Sequence, residues 1–119
     1  MKILFQRLQT MYEGGLPKVD RMLIHDLLTR QKKYSTSSNF YLVEIFTKRG
    51  IDPEKKREYI IKKTGMVPSI YDNNTHYATN HRVNLELLEE LSRPDDVLYI
   101  TGEYTGGLTA VGASHEYRH

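Results

Sequence analysis

The order of local signals between residues 39 and 104 constrains this chain more than any other feature. Residues 40–48 (FYLVEIFTK) are rich in β-branched and aromatic side chains and run into Gly50, the pattern of a strand. Asp52-Pro53 starts a helix, with Asp as N-cap and Pro at the first helical position, and Gly65 stops it. Residues 67–71 and 75–83 flank Asp72-Asn73-Asn74 as the strands of a hairpin, in a register left open by one residue. Asn84 caps a helix over 85–91, with Val83 and Leu88 placed as a hydrophobic staple and Pro94 as the stop. Residues 97–104 (VLYITGEY) read as a further strand.

Strand, helix, strand, strand, helix, strand is the order of a split unit. It predicts an α+β fold with a ferredoxin-like βαββαβ core at about 39–104. The 119 residues suffice for one core and therefore one domain. Residues 1–33 form a helical N-terminal extension in this reading. Leu4, Leu8 and Met11 stand at helical spacing, with a short strand at 2–6 as the rival. Pro17 begins a second helix to about Lys33, whose stripe is Val19, Met22, Leu23 and Leu27, widened by Ile24 and Leu28. Asp26 and Arg30 form a favourable i,i+4 pair on it. Residues 34–38 (YSTSS) are a linker. Gly106-Gly107 turns residues 105–119 into an added C-terminal hairpin strand, at 108–113, and a tail.

Composition removes several classes of function. No apolar run reaches eighteen residues, so no membrane span or membrane partner is expected. The opening MKILF is too short an apolar stretch for a signal peptide, which makes the cytoplasm the expected location. Zero cysteines exclude disulfides, thiolate metal sites and thiol nucleophiles. A net charge of +2 gives no global field for nucleic acid, yet the charge is uneven. Residues 54–63 carry Lys55, Lys56, Arg57, Lys62 and Lys63 against Glu54 and Glu58, whereas 86–96 carry Glu86, Glu89, Glu90, Asp95 and Asp96 against Arg93.

A βαββαβ sheet packs its helices on one face and presents the other. If Tyr41, Val43 and Ile45 face the helices, the second face shows Phe40, Leu42, Glu44 and Phe46, since strand side chains alternate. Tyr99, Thr101 and Glu103 join them from the last strand, and Tyr77 and His81 from the third if the register allows. Such an aromatic platform can be covered by residues 1–33, meet a second copy, or stack the bases of single-stranded RNA or DNA. RNA-recognition modules use this surface, but 75–83 lacks their Lys/Arg-Gly-Phe pattern, so the resemblance is one of architecture only. Glu44, among apolar neighbours, needs a partner, expected to be Arg or Lys from the N-terminal helix. On the 53–64 helix, Pro53, Ile60, Ile61 and Thr64 cluster while Lys55, Lys56, Tyr59, Lys62 and Lys63 share the exposed side.

The expectation is a small non-enzymatic binding or regulatory module, without cofactor, acting as a homodimer. Nucleic acid is the leading specific ligand. Lys55, Lys56, Tyr59, Lys62 and Lys63 would meet the backbone, and Phe40, Phe46, Tyr77 and Tyr99 the bases. The alternative is a metal-assisted hydrolase using His76 or His81, or the C-terminal His115-Glu116-x-x-His119. His115-Glu116-Tyr117-Arg118-His119 matches H-E-x-x-H, whose spacing puts two imidazoles on one helix face with the glutamate as general base. At a chain end after Gly112-Ala113-Ser114, without a third ligand downstream, a mobile polar tail is the expectation. His76 and His81, five apart on a strand, point to opposite faces and make a poor metal pair. The stretch from Thr101 to Gly107 is glycine-rich but lacks the Lys-Ser/Thr of a phosphate loop.

Overall fold

A computed structural model describes residues 16–33 and 40–106, with backbone only for 31–33. Three helices and four strands alternate as α1 (Arg21–Lys33), β1 (Phe40–Thr47), α2 (Pro53–Thr64), β2 (Ser69–Tyr71), β3 (His76–Arg82), α3 (Leu85–Ser92) and β4 (Val97–Tyr104). The strands make one antiparallel sheet in the order β2-β3-β1-β4. The molecule is therefore a mixed α+β protein. The two core helices each link strands that another strand separates: β3 lies between β1 and β2, and β1 between β3 and β4.

Local chemistry sets the ends of these elements. Asp52, in extended conformation, accepts from the backbone N–H of Glu54 and Lys55 at 3.0 and 3.4 Å. Gly65, at φ 77°, ends α2 in the left-handed region that disfavours other residues. Asn84 Oδ1 accepts from Leu87 N–H at 2.8 Å, and Val83 and Leu88 are both buried beside it. The hairpin turn holds Asp72, Asn73 and Asn74 all at positive φ, which Asp and Asn tolerate best among side chains with a Cβ.

One face of the sheet carries the core. Tyr41, Val43 and Ile45 of β1, Tyr77 of β3, and Val97 and Ile100 of β4 join Leu23, Ile24, Leu27 and Leu28 of α1, Ile60 of α2, and Leu85, Leu88 and Leu91 of α3 in a single buried cluster. All three helices thus lie on the same side. Gly102 admits α1 to this face, because a Cβ there would stand 2.9 Å from the Leu42 carbonyl and 3.3 Å from both Leu23 methyls.

Several expectations need correction here. Helix α1 begins at Arg21, not Pro17, because Lys18–Asp20 pairs along the edge of β4: Asp20 N–H donates to Ile100 O at 2.8 Å and Ile100 N–H to Lys18 O at 2.9 Å. Met22, placed in the apolar stripe, is instead 71% exposed. Residues 16–33 do not cover the second face; α1 packs with the other helices, and Asp26 accepts from Tyr41 O–H at 2.7 Å and from Arg30 Nε at 2.9 Å. The first helix at 1–12, the linker at 34–38, the strand at 108–113 and the terminal HEYRH lie outside the described residues.

Candidate functional site

On the second face, four rings stand in one row across the whole sheet. Tyr71 of β2 is opposite His76 of β3, His76 opposite Phe46 of β1, and Phe46 opposite Tyr99 of β4. His76 and Phe46 stack with centroids 4.4 Å apart and planes 21° from parallel. Rings so close and so nearly parallel must lie face to face, so they stand up from the sheet. Tyr71 leans on His76 at 5.3 Å and 48°, and Tyr99 lies 6.5 Å from Phe46 at 30°.

The row is anchored at His76. Its Nε2 is 2.9 Å from Glu44 Oε1 and its Nδ1 3.3 Å from Asp72 Oδ2. Glu44 is therefore partnered across the sheet by a histidine, not by an Arg or Lys of the N-terminal helix. Helix α1 sits on the opposite face and cannot reach it. At the Tyr99 end the β1–β4 register shifts between Phe46 and Thr47, so Leu98 is an extra residue on β4. Burial and the nearby Asp20 carboxylate both raise the pKa of the Tyr99 hydroxyl.

Beyond the row the face becomes shallow, with Ser69, Ala78, Glu44 and Thr101 in the next rank and Asn80, Leu42 and Glu103 after it. Phe40 closes the far end, with the Arg82 guanidinium 5.8 Å from its ring centre. Two and three residues beyond Phe46 come Lys48 and Arg49, both exposed and in no ion pair with a described residue. Arg49 lines a cleft of about 460 Å³ with Gly50, Asn73, Thr75 and the same Asp72 that contacts His76.

The structure divides the proposed binding residues between two sides of the molecule. Phe46 and Tyr99 are in the row and Phe40 is on the same face. Tyr77 is not: the pairing Ile45↔Tyr77 points it into the core, where its hydroxyl donates to Asn74 O at 2.9 Å. His81 is on that inner face too, with Nδ1 donating to Arg82 O at 2.9 Å and Nε2 2.8 Å from the Thr79 hydroxyl. Its burial lowers its pKa, and the bond to Arg82 O partly opposes this. His76 and His81 are thus separated by the sheet, and no three His, Asp or Glu residues converge as a metal site among the described residues.

The lysines of α2 lie on the helix side, away from the rings. Lys56 is only 5% exposed, its ammonium 2.6 Å from Asp96 Oδ1, an oxygen with no other partner among the described residues. Lys63 is 3.5 Å from Glu90 Oε1, and Tyr59 O–H donates to Glu90 O at 2.6 Å. Only Lys55 and Lys62 remain exposed, so the supposed common basic face is half spent on contacts with the α3 side. His76 and Tyr71 were missed as members of the aromatic row. The signal that could have found them is the four-residue loop 72–75, which fixes the hairpin register and brings the two residues flanking it into opposition.

No protein-family model matches this chain, and no curated protein or solved structure is significantly similar to it.

Proposed function

We propose that this protein is a non-enzymatic binding module that takes single-stranded RNA or DNA on the second face of its sheet. The row Tyr71, His76, Phe46 and Tyr99 carries the proposal. Four rings in register, with one flank rimmed by Lys48 and Arg49, match what bases and their phosphates require of a protein surface. This reading drops the α2 lysines and Tyr59 as backbone contacts, because they are on the other side of the sheet. Phosphate contact then falls to about two side chains, and the logarithmic salt slope should be shallow, about −1.4.

Fluorescence anisotropy with short random-sequence single strands tests it. Phe46→Ala should weaken binding about tenfold, the loss expected for one stacked base. Lys55→Ala with Lys62→Ala should leave affinity within about twofold, since a lysine far from the strand contributes little once screened. No binding by the wild type at low salt sinks the proposal.

The finer architecture belongs to the same proposal. The strand order β2-β3-β1-β4, antiparallel throughout, with each core helix bridging over an intervening strand, supports the ferredoxin-like plan. Self-association as a homodimer is the second reading, favoured by Met22, Leu98 and Tyr99, all exposed near the β4 edge. Cytoplasmic residence rests on the sequence alone.

A further inference from the structure

The geometry points to the Phe46–Tyr99 gap as a clamp for one planar base, with Glu44 selecting bases that carry an amino group on their edge; this rests on the nucleic-acid reading above. A ring held between two others needs about 7 Å between the outer planes, twice a contact of about 3.5 Å. The ring centres of Phe46 and Tyr99 are 6.5 Å apart with planes inclined by 30°, whereas those of Phe46 and His76 are closed to 4.4 Å. Neighbouring strands lie about 4.8 Å apart. The closed pair keeps roughly that spacing, and the wider pair lies next to the β4 register shift at Leu98.

Both walls of the gap have a neighbour outside it. Phe46 is backed by His76, whose Nε2 is 2.9 Å from Glu44 Oε1. Tyr99 is 43% exposed, with its hydroxyl beside the Asp20 carboxylate. The next pair along the strands from Phe46 and Tyr99 is Glu44 and Thr101. Glu44 spends Oε1 on His76 and leaves Oε2 without a hydrogen bond to any described residue, while the Thr101 hydroxyl donates to Asp20 Oδ2 at 3.0 Å. The edge of the gap therefore offers carboxylate acceptors. An amino group, as on cytosine, adenine or guanine, satisfies them; the carbonyl at the equivalent position of uracil or thymine repels them.

Cytosine and uracil make the cleanest comparison, because on the same pyrimidine ring an amino group and an acceptor N3 replace a carbonyl and an N3–H. Labelled eight-residue cytidine and uridine ribo-oligomers are titrated with the full chain at pH 7.5. The wild type should bind the cytidine oligomer about tenfold more tightly, and Glu44→Gln, whose amide can donate to the uracil carbonyl, should bring the two within about twofold. Equal wild-type affinities that both fall in Phe46→Ala would overturn the clamp and its selectivity while leaving the binding face intact. No binding of either oligomer would overturn both. The wild-type ratio alone decides the selectivity should Glu44→Gln disturb His76.

Discussion

His81 is the residue at which burial turns most directly into pH dependence. Its imidazole is enclosed on the helix side of the sheet, and desolvation holds its pKa below the ordinary histidine value of about 6.5. Between those two values the unfolded chain takes up a proton that the folded chain refuses. Stability is therefore complete above about pH 6.5 and declines as pH falls through the window toward the depressed folded value. His81→Gln should cost about 1–2 kcal/mol at pH 7.5 through its altered hydrogen bonds. It should also flatten the change in urea midpoint between pH 7.5 and 5.5, and an unchanged slope would show that His81 does not titrate on unfolding. Glu44 teaches the same lesson from the outer face. The need for a partner was legible from a carboxylate among Phe40, Leu42 and Phe46, but the partner itself, His76, was not.

At the scale of elements, α2 is held in an unusual way. Its only fully buried apolar residue is Ile60, with Tyr59 packed partly buried against the core, and much of its attachment is polar: Lys56 to Asp96, Lys63 to Glu90 and Tyr59 to the Glu90 carbonyl. The basic and acidic segments visible in the sequence are thus complementary neighbours within one chain. Sequence spacing could not pair them, because the residues joined lie 27 to 40 positions apart. Helix α3 is the reverse case, an eight-residue helix with Leu85, Leu88 and Leu91 buried and one N-cap that spacing alone identified. So short a helix has no stability of its own and depends on packing and capping. Asn84→Ala should lower the free energy of unfolding by about 1 kcal/mol, and Asn84→Asp should restore most of it. Urea denaturation checks both; a loss below about 0.3 kcal/mol for Asn84→Ala would mean that packing alone holds the end.

The whole molecule has two unlike sides, a helix layer with paired charges and a sheet face with the aromatic row. Leu98 and Tyr99 bring apolar surface to the β4 edge, where, among the described residues, Lys18–Asp20 pairs with the strand around Ile100. A second copy meeting this edge would bury Leu98, Tyr99 and Met22 together. Sedimentation velocity should show a concentration-dependent dimer, and Leu98→Asp, at an exposed bulge where folding loses little, should return it to monomer. A wild type that stays monomeric to about 100 µM, ample for a standard-sized interface, would leave the edge without a partner. Tyr99 belongs to both proposed surfaces, so dimerisation and base binding exclude one another.

What the sequence determined by itself was local. Caps at Asp52 and Asn84, the stop at Gly65, the β4 span and the two faces of β1 follow from chemistry within a few residues along the chain. What only the tertiary structure decided was pairing across the chain. Strand side chains repeat every two residues, so one step of register exchanges the faces of β3. That step puts Tyr77 and His81 in the core and His76 beside Phe46. The position of α1, the row of four rings and the partners of Lys56, Lys63 and Glu44 all depend on contacts between residues far apart in sequence, which no local periodicity encodes.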